Sequence, residues 1–175
     1  DIFLPKKLII AHVAQETFAL DRTAIEYVLD GDVQLRQLEK EIRKAEENNQ
    51  GETLAHLYSD MEGINGYSAN SRAATLLNGL GFTTEQESLA VNQFSGGWRM
   101  RLNLAQALMC RSDILLLDEP TSNLDARSRD AAIELLQGLR ADGRTLVVTS
   151  HHVEEMAMLV DRVVAMEEGE IKVIC

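Results

Sequence analysis

A chain of 175 residues, 45% hydrophobic and 26% charged, is long enough to bury a core and fits one domain, or one domain with two lobes. Asp and Glu number 28 against 17 Lys and Arg, and the net charge of -11 disfavours tight contact between this segment and a nucleic acid. No apolar run approaches the ~20 residues of a membrane span. Residue 1 is not Met and the opening lacks the plan of a signal peptide, so the chain reads as starting at a cut within a domain. Cys110 and Cys175 have no metal-binding spacing and read as reduced thiols.

Leu8 to Ala14 is an apolar run short enough for a buried strand, and it ends at Gln15-Glu16. The period then changes. Leu35, Leu38, Ile42 and Ala45 step at helical spacing, Asn48-Asn49-Gln50-Gly51 interrupts, and Leu54, Leu57, Met61 and Ile64 repeat the step, which predicts an antiparallel helical hairpin. Glu39, Lys40, Glu41, Arg43, Lys44, Glu46 and Glu47 would form its solvated outer face. A third helix, Ser68 to Asn78, would bury Ala73, Leu76 and Leu77 and stop at Gly79, and Thr84 to Glu87 has capping-box spacing for a short one.

Ser95-Gly96-Gly97 opens a helix through Leu108 whose inner face carries Leu102, Ala105, Leu108 and Met109. Ile114 to Asp118 reads as a fully apolar strand ending in a carboxylate. Ala126 to Arg140 is amphipathic on Ala132, Leu135, Leu136 and Leu139, and Thr145 to Ser150 is the next strand. A helix near Val153 to Val160 and a hairpin of Arg162 to Met166 with Ile171 to Ile174 complete the chain. Strands alternating with helices predict an α/β fold with a parallel sheet, and the helical middle forms a lobe inserted into it.

In such a sheet the strand ending at Asp118 delivers Asp118 and Glu119 to the edge where ligands bind. A carboxylate pair there can cap a helix. It can equally hold Mg²⁺ through Asp118 and orient an attacking water through Glu119. Ser95 and the amides of Gly96 and Gly97 sit at a helix N-terminus, where unpaired N–H groups and the dipole favour an anion, and glycine lets the backbone approach it closely. An acidic chain can still bind nucleotide, because local dipoles and a metal ion outweigh total charge at a phosphate.

Five segments, in order, resemble the ATP-binding-cassette (ABC) family: Gln15 its Q-loop, Phe94 to Trp98 its signature loop, Ile114 to Glu119 its Walker B strand with catalytic glutamate, Ser122 to Asp125 its D-loop, and Ser150-His151 its switch region. The resemblance implies a P-loop NTPase-like parallel sheet with an inserted α-helical subdomain, a cytoplasmic location, and ATP with Mg²⁺ as cofactors. It implies catalytic roles for Glu119 and His151, nucleotide contacts from Gln15, Ser95, Gly96, Gly97 and Asp125, and Mg²⁺ coordination by Asp118 and Gln15. The partner it implies is a second cassette supplying a P-loop, since the family's signature loop contacts ATP held opposite. His152 gains no role and is expected to be exposed. Trp98 stands where transporters commonly have glutamine, and is expected to pack on a partner. The division follows: residues 1–16 as core strand and Q-loop, 17–94 as helical subdomain, and 95–175 as signature helix, Walker B, D-loop, switch histidine and C-terminal strands.

No stretch satisfies the P-loop pattern G-x-x-x-x-G-K-S/T. Gly138 to Thr145 has the glycine spacing but carries Arg144 for lysine, and it follows a helix, so it reads as a turn with Gly143 near a helix C-terminus. In the family the P-loop precedes the Q-loop, and this chain alone is expected to hydrolyse ATP weakly or not at all. The long interval from Gln15 to Ser95 and the run Phe94 to Leu108 resemble the first cassette of the ABC-F class, soluble ATP-driven switches that act on ribosomes. Ser122 to Asp125, Ser150 to His152 and Val153 to Met156 are more similar to a transporter cassette. Two alternatives stand beside the ABC-F reading: a transporter's ATPase subunit, and a non-catalytic, engineered or chimeric fragment.

Overall fold

The computed structural model describes residues 8–12, 20–122, 124–151, 159–167 and 170–174. Seven α-helices are seen among them: α1 (Ala24–Leu29), α2 (Val33–Glu47), α3 (Gly51–Gly63), α4 (Ala69–Gly79), α5 (Thr84–Glu87), α6 (Gly96–Met109) and α7 (Ala126–Ala141). Strand β2 (Ile114–Asp118) lies between β1 (Ile10–His12) and β3 (Thr145–Thr149) and is parallel to both, with Ile10 opposite Ile114 and Asp118 opposite Thr149. Strands β4 (Val163–Glu167) and β5 (Glu170–Ile174) pair as a separate antiparallel hairpin. This is a mixed α/β chain with a parallel sheet, in keeping with the sequence. The central strand buries Leu115 and Leu117 on one face, whereas Ile10 of β1 and Val147 of β3 stay exposed. No helix among the described residues is long and apolar enough to cross a membrane.

The predicted hairpin is α2 and α3. Leu35, Leu38, Ala45, Leu57 and Met61 are buried, and Ile42, Leu54 and Ile64 pack partly buried against them. Its connection forms because Asn49 takes a left-handed backbone (φ 53°), letting the N–H groups of Asn49 and Gln50 donate to the carbonyls of Glu46 (3.1 Å) and Ala45 (2.9 Å). Asparagine tolerates that conformation better than most residues. The outer face is not uniformly solvated, because the half-buried Arg36 gathers Glu39 (2.8 Å), Glu26 (2.6 Å) and Asp30 (2.8 Å) around it.

Two helix signals resolve one or two residues away from their expected places. Helix α4 runs through Gly79, and the left-handed residue that ends it is Gly81 (φ 89°), whose N–H donates to the Asn78 carbonyl at 2.9 Å while Phe82 donates to Leu77 at 3.0 Å. The capping box is Thr83 with Gln86, not Thr84 with Glu87, the Thr83 N–H donating to Gln86 Oε1 at 2.9 Å. Gly143 (φ 85°) closes α7 in the same way as Gly81 closes α4, with Arg144 donating to the Leu139 carbonyl at 3.1 Å. The stretch with P-loop-like glycine spacing is thus a helix stop.

Helix α6 buries nine of its fourteen residues, far more than the single expected face. It packs against α1 and α4. The Tyr27 hydroxyl donates to Asn103 Oδ1 (2.7 Å) inside the core, and Gln106 Nε2 donates to the Tyr27 carbonyl (2.9 Å). Gly31 faces the same turn: a Cβ added there would overlap the Gln106 carbonyl oxygen. Backbone cannot yield as a flexible side chain can, so Gly31→Ala is expected to destabilise the chain by about 2–3 kcal/mol, read as a lowered denaturant midpoint. An unchanged midpoint would contradict this packing.

Candidate functional site

Strand β2 ends where its apolar run meets Asp118, and the ladder to β3 continues one residue further through Glu119. The Glu119 N–H donates to the Thr149 carbonyl at 3.1 Å and lies 3.3 Å from the Thr149 hydroxyl, which itself donates to Asp118 Oδ1. Glu119 then turns sharply. Its φ is 48°, a region that costs a residue with a Cβ on the order of 1 kcal/mol or more. The turn is held from the other side too, because the Glu119 carbonyl accepts from the Ser122 N–H (3.2 Å) and hydroxyl (3.0 Å). Clamped this way, the Glu119 carboxylate lies 3.4 Å from His151 Nε2, a contact that is ionic only when His151 is protonated. The His151 side chain is 94% exposed, so it projects from the end of β3 into open space. Asp118, Glu119 and His151 therefore sit at one end of one pair of strands.

Ser95 is the N-cap of α6, extended (φ -66°, ψ 165°), and its side chain makes no capping bond. Ser95 and Gly96 are exposed, and nothing lies within 4 Å of a Cβ placed on Gly96. Amide donors at this helix start thus face open space. Behind them Trp98 packs within its own chain rather than standing free for a partner. Its ring meets Phe82 edge-on at 4.7 Å and lies 6.5 Å from Phe94, and the Arg101 guanidinium covers it at 4.2 Å.

Arg101 is a site residue that the sequence did not single out. Its side chain is 9% exposed and its guanidinium pairs with Asp125, which follows β2 in the chain. The second turn of α6 is therefore held beside the segment that follows β2. Asp125 in turn starts α7, its carbonyl accepting the Arg129 N–H at 2.9 Å. An arginine between Met100 and Leu102 signals nothing at the level of pattern, since its partner lies 24 residues away. Gln15 and His152 lie outside the described residues, as does most of the helix expected over Val153 to Val160.

The pairing makes a distinction that can be measured. Asp125 is 61% exposed, so Asp125→Asn is expected to cost under about 1 kcal/mol. Arg101→Ala removes buried stem and ring contact and is expected to cost about 2–3 kcal/mol. Urea denaturation of both variants checks this, and equal losses would show that charge rather than packing holds Arg101.

The family model described as "ABC transporter" matches residues 9–122. The chain is 49% identical over 159 residues to the "Probable ATP-binding protein YheS" of Escherichia coli K12, covering 91% of this chain and 24% of that protein. It is 35% identical over 173 residues to ATP-binding cassette sub-family F member 2 of Bos taurus, covering 98% of this chain and 27% of that protein. Among solved structures it is similar to a bacterial ABC transporter cassette in dimeric form, with a TM-score of 0.64 at 26% identity over 94% of this chain and 61% of that one. The chain spans about a quarter of the length of the curated relatives it matches. With the match covering both β1 and the carboxylate end of β2, the chain belongs to the ABC transporter family of ATP-binding cassettes.

Proposed function

We propose that this chain is the signature, Walker B and switch portion of an ATP-hydrolysing cassette in an ABC-F type protein that works as an ATP-driven switch on ribosomes. The observation that carries the chemistry is the clamped turn at Glu119. Thr149 and Ser122 hold its backbone in a left-handed conformation, and its half-buried carboxylate lies beside His151 at the end of the sheet.

In this reading Glu119 orients the water that attacks the γ-phosphate, and His151 contacts that phosphate from the neighbouring strand. Asp118, fixed by the Thr149 hydroxyl, is the Mg²⁺ ligand together with Gln15. One carboxylate with an amide oxygen suits Mg²⁺, which takes one or two carboxylates from a protein and fills its other positions with water and phosphate oxygens. Bound Mg²⁺ would offset charge on the β- and γ-phosphates. Ser95, Gly96 and Gly97 present their amides to ATP held by a second cassette carrying the P-loop, and Asp125 borders the same interface. The proposed division is core (1–16 and 95–175) and helical subdomain (17–94), in a cytoplasmic protein. The ribosomal role draws support from the sub-family F name of the relative and from the long helical interval.

A transporter's ATPase subunit is the second reading, favoured by the likeness to the bacterial transporter cassette and by the Ser122 to Asp125 segment. Both readings share the site and differ in partner.

In the full-length protein, Glu119→Gln is expected to leave ATP binding intact and to lower single-turnover hydrolysis at its own site about 100-fold or more. That ATP-locked variant should co-sediment with ribosomes, whereas co-purification with a membrane permease would favour the transporter reading. Wild-type hydrolysis by Glu119→Gln would remove Glu119 from the chemistry. Ser95→Arg fills the open space at the start of α6 and is expected to abolish ATP-induced closure on the second cassette, measured by distance labels on the two. Normal closure in that variant would refute the signature-loop assignment.

A further inference from the structure

A second concave site lies at the far end of the sheet. Arg111 precedes β2 by three residues and Arg144 immediately precedes β3. Asp118 and Thr149 close those strands at the other end, about 16 Å away at 3.3 Å per residue. With Arg72 and Ser71 of α4, these arginines wall a cavity of about 450 Å³ whose floor includes Leu76 and Leu108.

The walls are rich in donors and poor in free acceptors. A guanidinium carries five N–H donors. Arg72 commits its Nη groups to Asp32 (3.0 Å), the Asn65 carbonyl (3.0 Å) and Ser68 Oγ (3.3 Å). Arg111 commits Nε to Asp32 (3.0 Å) and Nη2 to the Ile64 carbonyl. Arg144 commits only Nη1, to the Cys110 carbonyl (2.8 Å). Among the described residues, Arg72 Nε, Arg111 Nη1, and Arg144 Nε and Nη2 have no acceptor. The hydroxyls of Ser68 and Thr75 already donate to backbone carbonyls (2.9 and 2.8 Å).

Charge points the same way. Asp32, 1% exposed behind the wall, accepts Leu35 N–H (3.1 Å) on one oxygen and both Arg72 and Arg111 on the other, so one carboxylate answers two guanidiniums. Burial, and then repulsion from Arg111, hold the Arg72 guanidinium below its ordinary pKa. Arg72 and Arg111 also staple α2 and α4 to the approach to β2. Arg144 carries less of that duty, with a single bond to the Cys110 carbonyl.

We propose that this cavity binds a phosphate-bearing small molecule, its phosphate held by Arg72, Arg111 and Arg144 and its organic part on the Leu76 and Leu108 floor. Planar guanidinium forks match tetrahedral oxyanions, and the volume suits a small ligand. A polyanion is disfavoured by the net charge of -11. This site is independent of the ATP site and of the function proposed for it.

Phenyl phosphate, combining ring and phosphate, is the probe, with phenol as its uncharged counterpart. It is titrated at constant ionic strength into full-length protein whose nucleotide sites are filled with ADP, and hydrogen exchange is followed over residues 66–76 and 108–112. Phenyl phosphate should slow exchange there and phenol should not. Arg144→Gln should weaken the effect about tenfold or more while its circular dichroism stays that of the folded protein, and Arg144→Lys should fall between. Arg43→Gln, which removes an equal charge from the exposed face of α2, should bind as wild type. The proposal is overturned by an absence of protection, by equal protection in Arg144→Gln, by an equal loss in Arg43→Gln, or by tighter binding of a short single-stranded RNA at matched phosphate concentration.

Discussion

Enclosure of helix α6 is the constraint on which the rest depends. The helix starts at Ser95 and its C-terminal end leads into β2, so its position sets both the amides at one end and the carboxylates that β2 delivers. It can sit in the core because Gly31 leaves room for the Gln106 carbonyl, and because its buried amide side chain, Asn103, finds the Tyr27 hydroxyl at 2.7 Å. A buried amide without that partner would cost about 1–3 kcal/mol. Arg101 completes the arrangement at the other end, lying on Trp98 and reaching Asp125. The position of α6 is therefore fixed at Gln106, Asn103 and Arg101.

At the edge of the sheet the chain accepts backbone strain rather than avoiding it. A glycine at position 119 would adopt φ 48° freely but would carry no carboxylate. The chain keeps glutamate and holds the conformation with bonds from Thr149 ahead of the turn and Ser122 behind it. Thr149 acts twice, since its hydroxyl also fixes Asp118. Orientation of the two carboxylates is thereby tied to the β2–β3 register, in which Asp118 and Thr149 are direct partners.

What the sequence disclosed follows from range. Periodicity placed the hairpin, because Leu35 to Ala45 and Leu54 to Ile64 repeat within a few residues and every one of those positions turns inward. Apolar runs placed β2 and β3, and glycine spacing with a preceding helix identified the stop at Gly143. Local signals failed by a residue or two where neighbours competed: Thr83 and Thr84 are both capable caps, and Gly79 and Gly81 both capable stops. The long-range pairings were not legible at all. Nothing in the text around Arg101 names Asp125, nothing around Gly31 names Gln106, and Thr149 reads as an ordinary β-branched strand residue until the register places it beside Asp118.

The bonds at Arg111 have a mechanical side. Through Asp32 and the Ile64 carbonyl, this one side chain joins the base of the α2–α3 hairpin to the residues just ahead of β2. Helix α2, at 15 residues, is a rod about 22 Å long. The hairpin is thus a lever anchored at its root to the strand that carries Asp118. Load applied at its tip is delivered to the start of that strand, so a body touching the far loop at Asn48 and Asn49 would have a rigid path toward the carboxylates.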